Sequence, residues 1–246
     1  MTDTNSRTGA PTSVTPGPSA GSDATPVGML EALYADRHSC RGFRPEPVPR
    51  SVVERILALA QRTASWCNAQ PWQVWVASGA STERLRTGLL EHVATHAPAP
   101  DFPWPEEYRG AYLERRRACG FALYQAVGVE RGDRAGAARQ SHENFRFFGA
   151  PHVAIVTTDA KLGVYGAIDC GAWVSAFMLA ARSLGVASIA QAALGAYPAF
   201  WRDAVGIGPD RLVVCGLSFG YEDPAHPANG FRTDRAALDD VVRWID

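Results

Sequence analysis

An α+β fold in one unit is what this sequence predicts, on three observations. Short β-branched runs sit among helical patterns without regular β-α-β alternation, which disfavours a doubly wound sheet. A length of 246 residues is still economical for a single core. A composition of 46% apolar and 20% charged residues is that of a chain with a well-buried interior.

In chain order, residues 1–28 come first. They hold 6 Thr, 4 Ser, 4 Pro and 4 Gly and show neither a strand nor a helix period, so they are expected to form a disordered tail ahead of a domain over 29–246. Met29 to Asp36 reads as a short amphipathic segment. Val52, Val53, Ile56, Leu57 and Ala60 mark one helix face, with Ser51 as the expected N-cap and Glu54 at the capping-box position. Gln73 to Ala77 is a strand.

Residues 98–145 combine a Pro/aromatic stretch with polar helices such as Glu106 to Leu123. Carrying Trp104, Tyr108, Tyr112, Phe121 and Tyr124, this segment reads as a lid-like excursion or pocket wall, and equally as ordinary surface helices. Val153 to Thr158 is a second strand. Ala167 to Leu184, with Trp173, Val174, Phe177, Met178 and Ala181 stepping by 3 and 4, is a helix expected to be buried on most sides. Leu212 to Phe219 is a strand that ends at Gly220.

Charge and cysteine usage narrow the partners. Lys+Arg 24 against Asp+Glu 25 leaves no global field to draw nucleic acid or anionic lipid, so small molecules or proteins are the expected partners. Lys161 is the only lysine, so a phosphate site here must use Arg, hydroxyls or backbone N–H groups. Cys40, Cys67, Cys119, Cys170 and Cys215 are odd in number and contain no C-x-x-C pair, which fits a reducing cytoplasm rather than a disulfide framework or structural zinc. There is no signal-peptide pattern, and no uninterrupted apolar run reaches the roughly 18 residues of a membrane span.

Rossmann, P-loop, nucleophile-elbow and zincin motifs have no match in the chain. The pair His92 and His96 falls short of a metal ligand set, and no metal is expected. Two polar stretches stand out instead. Arg37-His38-Ser39-Cys40-Arg41-Gly42-Phe43 places two arginines around a hydroxyl, which suits a phosphate, although alone it also reads as a solvated turn. Ala64-Ser65-Trp66-Cys67-Asn68-Ala69-Gln70-Pro71-Trp72 offers donors and acceptors to a flat heterocycle, or equally caps a helix end before a proline.

Together, and in this order, the two stretches resemble the opening of the FMN-dependent nitroreductase family, R-x-S-x-R-x-F followed by A-P-S-x-x-N-x-Q-P-W. The likeness continues through Asn144 to Pro151, Leu184 to Leu194, Gly216 to Tyr221 and Asn229 to Arg235, and is nearest the nitrobenzoate-type branch, whose second motif also reads S-W-C-N-x-Q-P-W. The resemblance implies a nitroreductase-like fold: a central, mostly antiparallel sheet flanked by helices, in an intertwined homodimer with FMN at the interface.

Carried over residue by residue, Arg37, His38, Ser39, Arg41, Arg232 and Arg235 would hold the flavin phosphate and ribityl chain. Ser65, Trp66, Cys67, Asn68 and Gln70 would approach from the other subunit. Arg146, with Asn144 beside it, would lie at the pyrimidine edge. Ala190, Gln191, Ala192, Ala193 and Leu194 would form a backbone loop beside flavin N5, the Ala192 N–H donating to it. Ala64 and Ala190 replace prolines that the family usually carries.

The implied reaction is ping-pong: NAD(P)H gives hydride to the flavin, and a nitroaromatic or quinone-like acceptor then takes the electrons, with no catalytic side chain required. The same fold also serves reductive dehalogenases and dehydrogenases, and a flavin-binding protein without turnover is a further alternative.

Overall fold

A computed structural model describes residues 25–245. Four strands form one sheet in the order β1-β2-β4-β3: β1 is Gln73–Ser78, β2 is His152–Asp159, β3 is Ala187–Gln191 and β4 is Arg211–Gly220. Every neighbouring pair is antiparallel. The α+β class and the antiparallel sheet are as expected. Strand β2 is central and buried on both faces along nearly its whole length, which is why it reads as continuous Val-Ala-Ile-Val rather than alternating.

Each face of the sheet carries its own core. On one side lie α2 (Arg50–Ala60) and α6 (Gly163–Ser183), with Val53, Ile56, Trp72, Trp173, Phe177 and Phe219 packed together. On the other lie α3 (Ala80–Thr95) and α7 (Pro198–Val205), around Leu89, Phe147, Ile155, Leu194 and Trp201. Three remaining helices are α1 (Pro26–Asp36), α4 (Gly110–Ala126) and α5 (Arg134–His142), and a single turn, α8, spans Leu238–Val241.

Several expectations need correction. The expected boundary at residue 28 falls inside a helix: Pro26 opens α1, and the Thr25 side chain accepts the Gly28 N–H as its cap. Residues 1–24 lie outside the described part. Ser51 is not an N-cap, because α2 starts two residues earlier than that cap requires, at Arg50 behind Pro49, whose carbonyl accepts from Val52 and Val53, and Glu54 pairs with Arg50 instead. The polar helix begins at Gly110 rather than Glu106 and continues to Ala126. Gly110 itself has φ +50, a left-handed turn that β-carbon-bearing residues avoid, and it marks the start.

Helix α6 is buried on one side only. Trp173, Val174, Phe177 and Ala181 face the core, while Val164, Tyr165 and Ile168 are exposed. By length and composition this segment could span a membrane, yet here it packs on α2, β2 and β3 as a core helix.

The base of the 98–145 segment is stapled to the body. The Ala99 N–H donates to Ala196 O, and the Asp101 carboxylate accepts from Arg202 Nη2 at 2.8 Å and from the Val213 N–H at 2.8 Å. Closer to the chain start, Ser39 bridges Ser188 on β3 and Phe43 bridges Glu222 just beyond β4. The arginine motif is thereby laid along the open edge of the sheet.

Candidate active site

A pocket of about 300 Å³ is lined by Tyr34, Ala35, Arg37, His38, Ser39, Arg41, Cys119, Phe231, Arg232, Thr233 and Arg235. It unites residues of the first motif with residues of the last. Four guanidinium groups share the pocket, its lining among the described residues includes no carboxylate, and none of the four arginines takes part in an ion pair among those residues. Arg37 sits below the ordinary arginine value through burial first and the nearby charge of Arg235 second. Burial lowers Arg41 likewise. A cluster of like charges, partly removed from water and unmatched, favours an anion.

The motif is held by residues outside it. Asn229 Oδ1 accepts the Arg41 N–H at 2.7 Å, and Asn229 Nδ2 donates to Gly42 O at 2.8 Å and Asp223 O at 2.9 Å. The His38 ring bonds Asp36 O and Glu222 Oε1, both at 3.1 Å, and Glu222 in turn lies 3.6 Å from Arg182. His38 therefore borders the pocket while its ring nitrogens anchor the motif to the body. Arg41 lies 5.9 Å from the Phe231 ring centroid, which ties it to the C-terminal motif.

At the far end of β3 the arrangement differs from expectation. Ala190 to Leu194 is not a free loop: Ala190 and Gln191 end β3, and Ala192 opens a 3₁₀ turn that runs to Ala196. The alternation of the strand exposes Ala190 and turns Gln191 inward, and Ala192 is exposed again. The Gln191 side chain, 2% exposed, donates to Asn144 O at 2.9 Å and Asn144 Oδ1 at 3.2 Å and accepts from Ser218 Oγ. Arg146 projects outward beside Glu143 at 3.5 Å. After it, Phe147 and Phe148 both take left-handed φ values, +57 and +51, and bury their rings.

None of the second motif lines the arginine pocket within one chain. Ser65 to Gln70 forms an exposed turn beside α6 in which Cys67, Asn68 and Gln70 have φ of +49, +55 and +49. Ser65 Oγ accepts the Gln70 N–H at 2.9 Å, Asp169 accepts the Trp66 N–H at 3.2 Å, and the Trp66 ring meets Tyr165 edge-on with centroids 4.1 Å apart. Buried Arg211 donates to Pro71 O at 2.7 Å and to Thr157 Oγ1 at 2.7 Å. Trp66, Cys67, Lys161, Tyr165 and Asp169 border a second hollow of about 320 Å³.

Several of these supporting residues escape sequence reasoning. Asn229 and Ser218 stand inside recognised motifs and could have been assigned, whereas Glu222, Asp169 and Arg211 carry no local signal. Cys119 reaches the arginine pocket from α4, so the 98–145 segment contributes to the site.

Comparison with known proteins agrees with this geometry. A profile described as the nitroreductase family matches residues 34–221. Nitroreductase NfnB of Mycolicibacterium smegmatis is 36% identical over 215 residues, 87% of this chain and 92% of that protein. A 4-nitrobenzoate reductase of a Nocardioides species is 34% identical over 230 residues, 89% of this chain and 91% of the other. The crystal structure of the FMN-dependent nitroreductase NfnB from Mycobacterium smegmatis in complex with NADPH matches with a TM-score of 0.86 at 35% identity, covering 89% of this chain and 99% of that one. Motif spacing, fold and the arginine pocket thus converge with these likenesses, and the chain belongs to the nitroreductase family.

Proposed function

We propose that the protein is an FMN-dependent NAD(P)H oxidoreductase that reduces nitroaromatic acceptors, and that it works as a homodimer. The observation that carries this reading is the pocket in which Arg37, Arg41, Arg232 and Arg235 meet around the Ser39 motif with no carboxylate among its lining residues. A phosphate monoester fits that donor set: guanidinium forks and a hydroxyl bind its oxygens, and the anion relieves the repulsion between Arg37 and Arg235.

When bound, FMN supplies a two-electron carrier that NAD(P)H reduces and the acceptor reoxidises, each in its turn. The residues present fit the rest of the cofactor as well. Ser39 and Ser188 bridge the arginine motif to β3, and from there the exposed backbone at Ala190 and Ala192, followed by Ala193 and Leu194, offers a small-residue ledge for a ring. Arg146 would supply positive charge at the ring edge, favouring a reduced, anionic form. The NADPH complex of the similar NfnB supports a pyridine nucleotide as reductant, and the 4-nitrobenzoate reductases support nitroaromatic acceptors. Quinone-like acceptors extend the same reading.

The second motif needs a second copy to reach this pocket. The exposed apolar side of α6 beside it, with Val164, Tyr165 and Ile168, supports the homodimer, in which Ser65, Trp66, Cys67, Asn68 and Gln70 would meet the cofactor held by the other subunit. Exposed Trp104, Tyr108, Tyr112 and Phe121 in the 98–145 segment offer aromatic faces for an acceptor. Five free thiols fit a reducing compartment such as the cytoplasm.

The deciding experiment is the visible spectrum of the FMN-loaded protein before and after anaerobic NADPH or NADH, followed by a nitroarene. Bleaching and then recovery with the nitroarene support the proposal. A protein that refuses FMN overturns it, and bleached flavin that a nitroarene does not reoxidise rejects the acceptor class.

A further inference from the structure

Gln191 is nearly sealed from solvent, yet its amide is fully engaged by groups from two other segments. Its orientation is decided by the partners. Nε2 faces two oxygens of Asn144, at 2.9 and 3.2 Å, and Oε1 faces the Ser218 hydroxyl. The opposite flip would put an amide oxygen against two acceptors. Ser218 is wholly buried on β4 and must donate, because the Gln191 oxygen can only accept. Asn144 Nδ2 completes the chain on Ser141 O at 3.0 Å, at the end of α5.

This chain of side chains joins three segments at one level of the sheet. Ser218 and Gln191 lie diagonally on one face, since Ile189 pairs with Ser218 and Gln191 with Gly216. Asn144 opens the turn that carries Arg146, and Gln191 immediately precedes the exposed backbone of Ala192. One buried amide therefore links the segment that leads to Arg146 with the strand end that precedes Ala192.

We propose that Ser218, Gln191 and Asn144 form a positioning chain that holds these two walls at a fixed separation around the flavin ring, with Ser218 as its buried anchor. The inference rests on the FMN reading given above. It makes Gln191 and Asn144 supports behind the cofactor, acting through the backbone of Ala192 and the placement of Arg146. Glutamate could not replace Gln191, because its carboxylate would confront both Asn144 oxygens in a site closed to water.

The test compares FMN-loaded wild type with Ser218→Ala, Gln191→Met and Asn144→Ala, measuring flavin midpoint potential, visible absorption maximum, FMN affinity and the NADPH half-reaction. Gln191→Met keeps the volume and removes all three bonds, so it should move the potential and the absorption maximum and slow flavin reduction on the order of tenfold to a hundredfold. The KM for NADPH should change far less than kcat. Ser218→Ala should shift the same readouts in the same direction. Asn144→Ala, which leaves the backbone acceptor in place, should do so least.

Gln191→Met and Ser218→Ala with wild-type spectrum, potential and rate would overturn the proposal. So would a Gln191→Met that fails to fold beside a Ser218→Ala indistinguishable from wild type, since the chain would then be purely structural. Wild type is measured first: refusal of FMN there sinks the functional reading and this inference with it, whereas unaltered variants beside a flavin-loaded wild type sink only this one.

Discussion

Arg37 and Arg235, brought together from opposite ends of the chain, share one pocket closely enough that the charge of Arg235 disfavours protonation of Arg37. Without an anion the two arginines oppose each other, and with one they cooperate. Changing Arg235 to Ala should weaken FMN binding by the roughly 1.5–3 kcal/mol of a charge-assisted contact while leaving the flavin-free protein no less stable. A flavin titration and a thermal scan of the apo form read the two effects, and unaltered affinity would remove Arg235 from the site.

Ile168 is 58% exposed on α6, one turn beyond Val164, on the side that turns away from the core. If that side joins two copies, Ile168→Asp both removes apolar burial worth about 1.5–3 kcal/mol and places a charge in the interface. The dimer dissociation constant should rise about tenfold or more, with flavin lost in parallel. Sedimentation or light scattering decides, and an undiminished dimer would show that α6 does not form the contact.

His152 gives a pH dependence of known sign. Its ring is 2% exposed, Nε2 accepts the Val48 N–H at 2.8 Å, and Nδ1 meets Ser78 Oγ at 2.8 Å, an arrangement that needs the neutral imidazole. Burial holds the group below its usual 6.5. Stability from His152 is thus complete above 6.5 and is lost as pH falls below it, because the unfolded chain takes up the proton first. Thermal midpoints between about pH 5 and 8 should decline on the acid side in wild type and less steeply in His152→Gln. Identical slopes would show that His152 does not report the folded state.

Gly216 on β4 faces Leu194 so closely that an added Cβ would lie 2.4 Å from Leu194 Cδ1 and 2.8 Å from its Cβ. Leu194 is fully buried in the turn after β3, so it has nowhere to retreat. Gly216→Ala should cost about 1–3 kcal/mol and disturb flavin binding by moving that turn. Gly120 on α4 is the contrast, with nothing within 4 Å, and Gly120→Ala should stabilise by about 0.5–1 kcal/mol. Urea unfolding of the pair measures both signs, and equal effects would refute the packing argument.

Legibility followed the side chains that do the packing. Strands β1, β2 and β4 could be read because Val, Ile and Trp recur in them, whereas β3, Ala-Ser-Ile-Ala-Gln, has little β propensity and exists because β4 offers it a ladder. Helices α3 and α7 went unpredicted although both carried signals: Leu85, Leu89 and Val93 recur every four residues, and Pro198 begins a helix that Gly206 ends with φ +73. The arginines of the pocket were legible only through the resemblance to a known family, since the first motif alone also reads as a solvated turn. The inward turn of Gln191 was not, since its neighbours are alanines that give no alternation to follow, and its partners come from distant segments.

Cys67, Asn68 and Gln70 hold left-handed φ values within four residues of one another. Each such residue costs on the order of 1–3 kcal/mol, and here the cost is met by ties within the chain from Ser65, Asp169 and Arg211. A partner surface that docks on this turn therefore finds it already shaped. The entropy of ordering it is spent during folding, so association can be fast and nearly rigid where a pliant loop of the same composition would have to be organised on contact.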